Sequence, residues 1–290
     1  MHPAPSVIFF TAFSGLGFGL LAWLGLGLPT VTGWTAFFMY FLGYGMAVGG
    51  LLSSVFHLAN KKNAVKAFSQ WRSSWLSREG ILAVVTLLTL APYAFSQVFL
   101  DTTLRPLGLL GALLAMITVF TTSMIYTQLK TVPRWNTPLT PILFLLFSIG
   151  GGGLFAGQVR AAAAFLVVLG VIQVIAWMQG DAKGATGDST LETATGLGRI
   201  GKTRLLEPPH TGENYLLKEM AYTVGRKHAV KLRAIALICA VLLPVILILL
   251  LPNGHALAVP LIVLHIVGLL AARWLFFAEA AHVVRLYYGK

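Results

Sequence analysis

The sequence predicts an all-α integral membrane protein, a bundle of eight transmembrane helices, and three observations carry that prediction. Hydrophobic residues make up 57% of the 290, and charged residues only 10%, against about 25% in soluble domains. The apolar residues gather in runs close to the ~20 that cross a bilayer as helix. The charge is lopsided, with 21 Lys and Arg against 9 Asp and Glu, and the positive residues concentrate between alternate pairs of runs. Such a composition excludes a soluble globular protein and a disordered one. No basic soluble domain is present, which argues against nucleic acid as a partner. The reading is therefore one membrane domain, residues 1–290, in a lipid bilayer.

Taken in order, the spans fall at Val7–Leu28, Thr35–Phe56, Gly80–Leu100, Pro106–Thr127, Leu139–Ala156, Ala161–Met178, Leu232–Leu251 and Leu257–Ala278. The fifth and sixth are the shortest. The first is not a signal peptide by pattern: nothing basic precedes it, and its run exceeds a signal h-region. Gly15, Gly17 and Gly19 in the first span, and Gly45, Gly49 and Gly50 in the second, form small-residue patterns that let helix backbones approach closely in lipid. Pro92 and Pro244 each remove a backbone donor inside a span and are expected to kink it.

Orientation follows from the cations. Nineteen of the 21 lie in the second–third, fourth–fifth and sixth–seventh loops with their margins, or at the C-terminus. Arg105 and Arg160 alone fall on the other side. By the positive-inside rule, both termini and all three basic loops face the cytoplasm. In the first long loop, residues 58–79, Ala64, Val65, Phe68, Trp71, Trp75 and Leu76 recur at helical spacing between basic residues, which reads as an amphipathic interfacial helix. In the other, residues 179–231, the stretch from Gly180 to Thr203 lacks an apolar period and reads as loop. Leu216, Leu217, Met220, Ala221 and Val224 then recur at helical spacing, as a second amphipathic helix: either a lipid-surface element or a docking surface.

Neither loop is long enough for a catalytic domain, and no Walker A, zinc-ligand, Rossmann or nucleophile motif is present. Cys239 is the only cysteine, which excludes an internal disulfide and a Cys-ligated iron–sulfur cluster. Hard redox chemistry would sit in a partner or a bound cofactor. What remains is a set of polar residues near the cytoplasmic face, costly there and so candidates for function. His57 ends the second span. It either caps that helix or hydrogen-bonds and relays a proton to a quinone carbonyl. Glu79 opens the third span at the same face, either as an acid at a helix N-terminus or as a proton partner of that histidine. Arg72 and Arg78 flank it. In the last span, Glu279 lies three residues from His282, which can share its helix face, and Arg273 lies deeper. These five residues are candidates for a quinone site or for docking. His265, deeper still, reads as a hydrogen-bonded packing residue. No repeated pairs of intramembrane histidines appear, so no haem is expected.

At these residues the chain resembles the anchor subunit of the DMSO reductase family. The resemblance is carried by His57-Leu58, Ala67-Phe68 and Trp75-Leu76-Ser77-Arg78-Glu79, by the run Leu206-Glu207-Pro208-Pro209-His210-Thr211-Gly212-Glu213-Asn214-Tyr215, and by Arg273-Trp274-Leu275-Phe276-Phe277-Ala278-Glu279. The eight-span pattern extends it over essentially the whole chain. The resemblance implies a bacterial inner-membrane anchor for two partners, a molybdopterin catalytic subunit and an iron–sulfur electron-transfer subunit. The molybdenum cofactor and the clusters belong to those partners. The anchor itself exchanges electrons with quinone or quinol, menaquinone or ubiquinone, without haem. By the same resemblance the quinone site falls on His57, with Glu79 as the linked acid. Some members serve DMSO reductases, and others resemble the membrane subunit of sulfite dehydrogenases, to which the Leu206–Tyr215 run leans. A stand-alone small-molecule transporter is the competing reading. It would favour repeated halves and polar residues at the midplane, and neither is visible here.

Overall fold

A computed structural model describes residues 2–56, 65–66, 68–207, 210, 212, 218, 220, 228–252 and 254–288. Every regular element among them is helical. The long helices are α1 (Pro5–Gly25), α2 (Gly33–Val55), α3 (Trp75–Phe99), α4 (Arg105–Thr127), α5 (Leu139–Phe155) and α6 (Val159–Lys183), followed by a short α7 (Leu191–Thr195), then α8 (Ala229–Leu250) and α9 (His255–Ala278). Seven are long and apolar enough to cross a membrane. The expected fifth span is the exception. α5 has 17 residues, about 26 Å of helix at 1.5 Å per residue, against about 30 Å of hydrocarbon. It is bounded by Pro138 and by Gly157, whose φ of +69° turns the chain.

Its position explains its composition. α5 packs against α1, α4, α6 and α9 and buries most of its length, including the run Gly150–Gly153. A Cβ on Gly19 of α1 would strike the Ser148 carbonyl oxygen, and one on Gly152 would strike the Gly19 carbonyl carbon. The two backbones therefore touch. Ser148 Oγ donates to the Gly15 carbonyl at 2.6 Å, and Trp23 Nε1 to the Ile149 carbonyl at 2.9 Å. Around this central pair one apolar core joins α1 to α2, α3 and α4, and a second joins α5 to α6, α8 and α9.

Several expectations change. Gly43 and Gly50, not Gly45 and Gly49, meet α1: added Cβ atoms on the first pair would touch Leu21 and Ser14, whereas those on the second pair meet open space. The interfacial segment after α2 is not a regular helix over its described part. Residues 65, 66 and 68 form 3-10 geometry and 69–73 turns. Arg78 is the reason, since it donates to the carbonyls of Trp71 and Arg72 at 2.9 and 2.7 Å, and Ser74, in extended conformation, caps α3. The apolar side chains Val65, Phe68 and Trp71 stay exposed, as suits an interface. Conversely, Gly180–Thr203 is not all loop. α6 runs on to Lys183, and Thr190 and Thr193 close a reciprocal capping box that starts α7. The second amphipathic helix falls mostly outside the described residues.

Pro244 shows how a lost donor is replaced. Its ring nitrogen cannot meet the carbonyl four residues back, which belongs to Ala240. There α8 passes through a π-helical turn, Ile238–Leu242, and His265 Nδ1 of α9 donates to the Ala240 carbonyl at 2.9 Å. The carbonyl only accepts, so Nδ1 carries the proton. Gly268 makes the approach possible, because a Cβ there would strike the Ala240 nitrogen.

Candidate functional site

The buried polar residues concentrate at one end of the bundle. It is the end where α3, α5 and α8 begin and α4, α6 and α9 finish, and it carries the basic loops. Glu79, in the first turns of α3, is 2% exposed. Thr122 Oγ1 of α4 donates to its carboxyl at 2.5 Å. Tyr126 lies one turn on from Thr122 and so on the same helix face. Its ring is boxed by Trp135, Phe144, Phe276 and Phe277, with centroids 5.3 to 5.9 Å away. The phenol lies within electrostatic reach of both Glu79 and Arg273. Arg273, 3% exposed, holds its guanidinium 3.7 Å from the Phe144 ring centroid and 5.2 Å from that of Phe147. Such contacts are worth most when desolvated. Its Nε has no hydrogen-bond partner. Acid, phenol and guanidinium thus lie together within a few turns of the helix ends.

Beside this row sits an ion network. Arg233, at the start of α8, grips Asp181 of α6 with two bonds of 2.6 and 2.7 Å, and donates through Nε to Glu279 at 2.7 Å. Arg134 also pairs with Asp181, and its Nη1 lies 3.4 Å from Glu279 Oε2. Two carboxylates and two guanidinia therefore alternate across the ends of α6, α8 and α9. Gly180 leaves room for Arg134, since a Cβ there would lie 2.5 Å from its Nη1. The 128–138 loop that carries Arg134 is a folded plug rather than a free loop. Val132 and Trp135 are buried. Trp135 Nε1 donates to the Phe276 carbonyl at 2.8 Å, Asn136 Nδ2 to the Thr127 carbonyl at 2.7 Å, and Lys183 Nζ to the Asn136 carbonyl at 3.1 Å. Next to the plug lies a cavity of about 50 Å³, lined among others by Phe144, Phe147, Gln173, Trp177, Arg273 and Glu279.

The sequence-predicted residues divide. Glu79, Arg273 and Glu279 meet in this end of the bundle. Arg78 does not reach them: it folds back on Trp71, Arg72 and the Trp75 ring, 4.4 Å from that centroid. Arg72 lies over Trp71, at the exposed surface. His282 follows α9, and its Nδ1 accepts the Val284 amide at 3.0 Å; burial pushes its imidazole below the usual range. His57 lies outside the described residues. Thr122, Tyr126, Arg134, Asp181 and Arg233 are absent from the sequence-predicted set. Tyr126 has a readable signal, because Thr118, Thr122 and Tyr126 repeat every fourth residue through an apolar span.

Comparison with known proteins assigns the family. A model of the DMSO reductase anchor subunit family (DmsC) matches residues 2–289, nearly the whole chain. The chain belongs to that family. It is also 30% identical, over 99% of both chains, to a subunit of the sulfite dehydrogenase of Allochromatium vinosum. No solved structure matches the chain. A DMSO reductase anchor subunit is expected to be a multi-pass helical membrane protein, and the seven long apolar helices meet that expectation.

Proposed function

We propose that this chain is the quinone-reactive membrane anchor of a three-subunit molybdoenzyme. It sits in the bacterial inner membrane with its basic end toward the cytoplasm, where it docks an iron–sulfur subunit and, through it, a molybdopterin subunit. α5 serves as the eighth span, its shortfall met by the folded 128–138 plug. The observation that carries the reading is the buried Glu79–Thr122 pair beside Tyr126 and Arg273, at the end that bears 19 of the 21 cations. Buried ionisable groups in membrane helices are retained for function. Here they lie one or two turns from the surface on which a partner's cluster would dock.

The chemistry asked of the site is modest. Quinol losing two electrons releases two protons, and quinone gaining two electrons takes them up. Glu79 as carboxylate accepts a proton or, as acid, returns it, while Thr122 fixes its orientation through one short hydrogen bond. His57 holds a carbonyl or hydroxyl of the ring and relays the second proton. The electrons pass to or from the iron–sulfur partner. The sulfite dehydrogenase relative favours quinone reduction over quinol oxidation.

The test is a mild-detergent purification of the tagged chain with metal analysis. Two further subunits, molybdenum and iron are expected, followed by sulfite- or DMSO-linked quinone turnover. In the intact complex, His57→Ala should abolish that turnover and leave assembly unchanged. Normal turnover removes His57 from the mechanism. Recovery of the chain alone and metal-free, with substrate uptake into vesicles, favours a transporter instead.

A further inference from the structure

We propose that the cavity between α5, α6 and α9 and the cleft outside it form one hydrated route that carries protons between the buried row of Glu79, Tyr126 and Arg273 and the basic face of the bundle. This rests on the quinone reading above and deepens it. A carboxyl that is 2% exposed does not meet bulk water, so proton exchange at Glu79 requires a path. Three observations carry the proposal.

The first is the size and lining of the cavity. Its volume of about 50 Å³ is room for roughly three to five waters at about 10–15 Å³ each. A buried water needs about two to four polar partners. Arg273, 3% exposed, lines the cavity with an Nε that has no hydrogen-bond partner. Gln173 adds an amide and Glu279 a carboxylate. A buried donor without an acceptor is costly, and water is the acceptor that fits the space. Arg273 does not itself relay, because a guanidinium keeps its protons. It is a positioning residue: a water that accepts from Nε keeps both of its own hydrogens for the next oxygen.

The second is continuity outward. Arg134 and Glu279 line both the cavity and a cleft of about 280 Å³ whose other walls include Asp181 and Arg233. Asp181 is half exposed, so the cleft opens to water. The ion pair between the two spaces, Arg134 Nη1 to Glu279 Oε2 at 3.4 Å, is longer than a full hydrogen bond, and a water can share it. The third is continuity inward. The Tyr126 ring packs against Phe144 and Phe276, with centroids 5.9 and 5.4 Å away, and both phenylalanines line the cavity. The Tyr126 phenol is within electrostatic reach of both Glu79 and Arg273. A phenol relays by taking one proton on its oxygen as it gives up its own. Each water in the route does the same. One proton entering at the cleft therefore delivers one at Glu79, and quinol oxidation runs the route in reverse.

The test uses the intact complex in lipid nanodiscs. X-ray hydroxyl-radical footprinting with mass spectrometry reads trapped water. Phe144 and Phe147, buried away from bulk solvent, should be oxidised several-fold faster than Phe18, which is buried in the apolar core around α1. Ala272→Leu fills the cavity from α9 and should remove that labelling. It should also slow quinone turnover at least about tenfold, the low side of what positioned proton transfer contributes, and raise the solvent deuterium effect on kcat. Gln173→Leu, at a half-buried site, should do the same more weakly, and it decides the matter if Ala272→Leu does not assemble. Tyr126→Phe should slow turnover with the same isotope effect and leave the Phe144 labelling in place. Phe144 and Phe147 no more reactive than Phe18 overturns the route and spares the quinone reading. So does unchanged turnover and isotope effect in an assembled Ala272→Leu or Gln173→Leu complex, or full turnover in Tyr126→Phe. No quinone turnover in the unaltered complex overturns the quinone reading and the route with it, whatever the footprint.

Discussion

The two carboxylates of the ion network should differ sharply in what their loss costs, because they differ in burial. Glu279 has a side chain 6% exposed and lies 2.7 Å from Arg233 and 3.4 Å from Arg134. At an effective dielectric of about 20 these contacts are worth about 6 and about 5 kcal/mol before desolvation. Desolvation takes back several kcal/mol per ion. Glu279→Gln leaves Arg134 and Arg233, 16% and 23% exposed, to be held by Asp181 alone, with the Arg273 cation close by. A cost of about 2–4 kcal/mol follows, toward the lower part of the range for a broken buried pair. Asp181 is 50% exposed. Water screens its bonds to about 1.6 kcal/mol each at 2.6 Å, and the entropy of holding the side chains reduces that further. Asp181→Asn should therefore cost under about 1 kcal/mol. The assay is thermal unfolding in detergent with a double-mutant cycle through Arg233→Met. The Arg233–Glu279 coupling should exceed the Arg233–Asp181 coupling and resist 0.5 M salt, while the latter shrinks. Equal couplings, or a Glu279→Gln cost within 0.5 kcal/mol of zero, would refute the argument from burial.

Other outcomes follow from the same geometry. Gly152→Leu should abolish folding of the bundle, and Gly152→Ala should destabilise it by about 1–3 kcal/mol, since any Cβ there strikes the α1 backbone; Gly45→Ala, facing open space, should be silent in the same detergent melts. Glu79→Gln should stop quinone turnover without loss of assembly, and Thr122→Val should slow it about tenfold or more, the worth of one hydrogen bond to a charged group; full activity in both would remove the pair from the chemistry. For His282, the lowered folded value means that the unfolded chain takes up a proton first. Its contribution is therefore whole above the ordinary imidazole range near 6.5 and is lost as pH falls through the lower folded value. Protonation also ends its acceptance of the Val284 amide. Proteolytic nicking after α9 should thus rise as pH falls from 7.5 to 5.5, and His282→Gln should flatten that rise.

The sequence made the membrane class and the side of the charge legible because both depend on long runs of one residue type. It located seven of the eight spans to within a few residues of the long helices. The buried polar cluster was legible only in part, where Glu79 opens an apolar run and Arg273 breaks one. Arg134, Asp181 and Arg233 lie in segments that read as ordinary basic margins, and only folding brings them together. The plug at 128–138 escaped notice for a related reason. Its burial rests on Trp135, Asn136 and Thr137 bonding to three different helices, which no local period encodes. The glycine reading failed at Gly45 and Gly49 because spacing tells which glycines share a face but not which face meets a neighbour.

The segregation of charge within the fold follows from how lipid treats polar groups. Inside the bundle, the opposite end keeps a neutral cluster: Tyr40 donates to Gln97 Oε1 at 2.6 Å, and Gln97 Nε2 donates to the Tyr93 hydroxyl at 3.3 Å. In the middle, His265 serves a carbonyl that Pro244 cannot bond. The Tyr40–Gln97–Tyr93 chain and His265 Nδ1 answer packing needs, although His265 Nε2 is buried without a partner. At the basic end two ionisable groups, a carboxyl with one threonine and a guanidinium whose Nε has no partner, are buried beside a network that is already satisfied. A bundle selected only to hold its partners at the membrane would lose those two groups and gain stability. On the proposed function their burial is the cost of a site, at the end where the electron-carrying partner is proposed to dock.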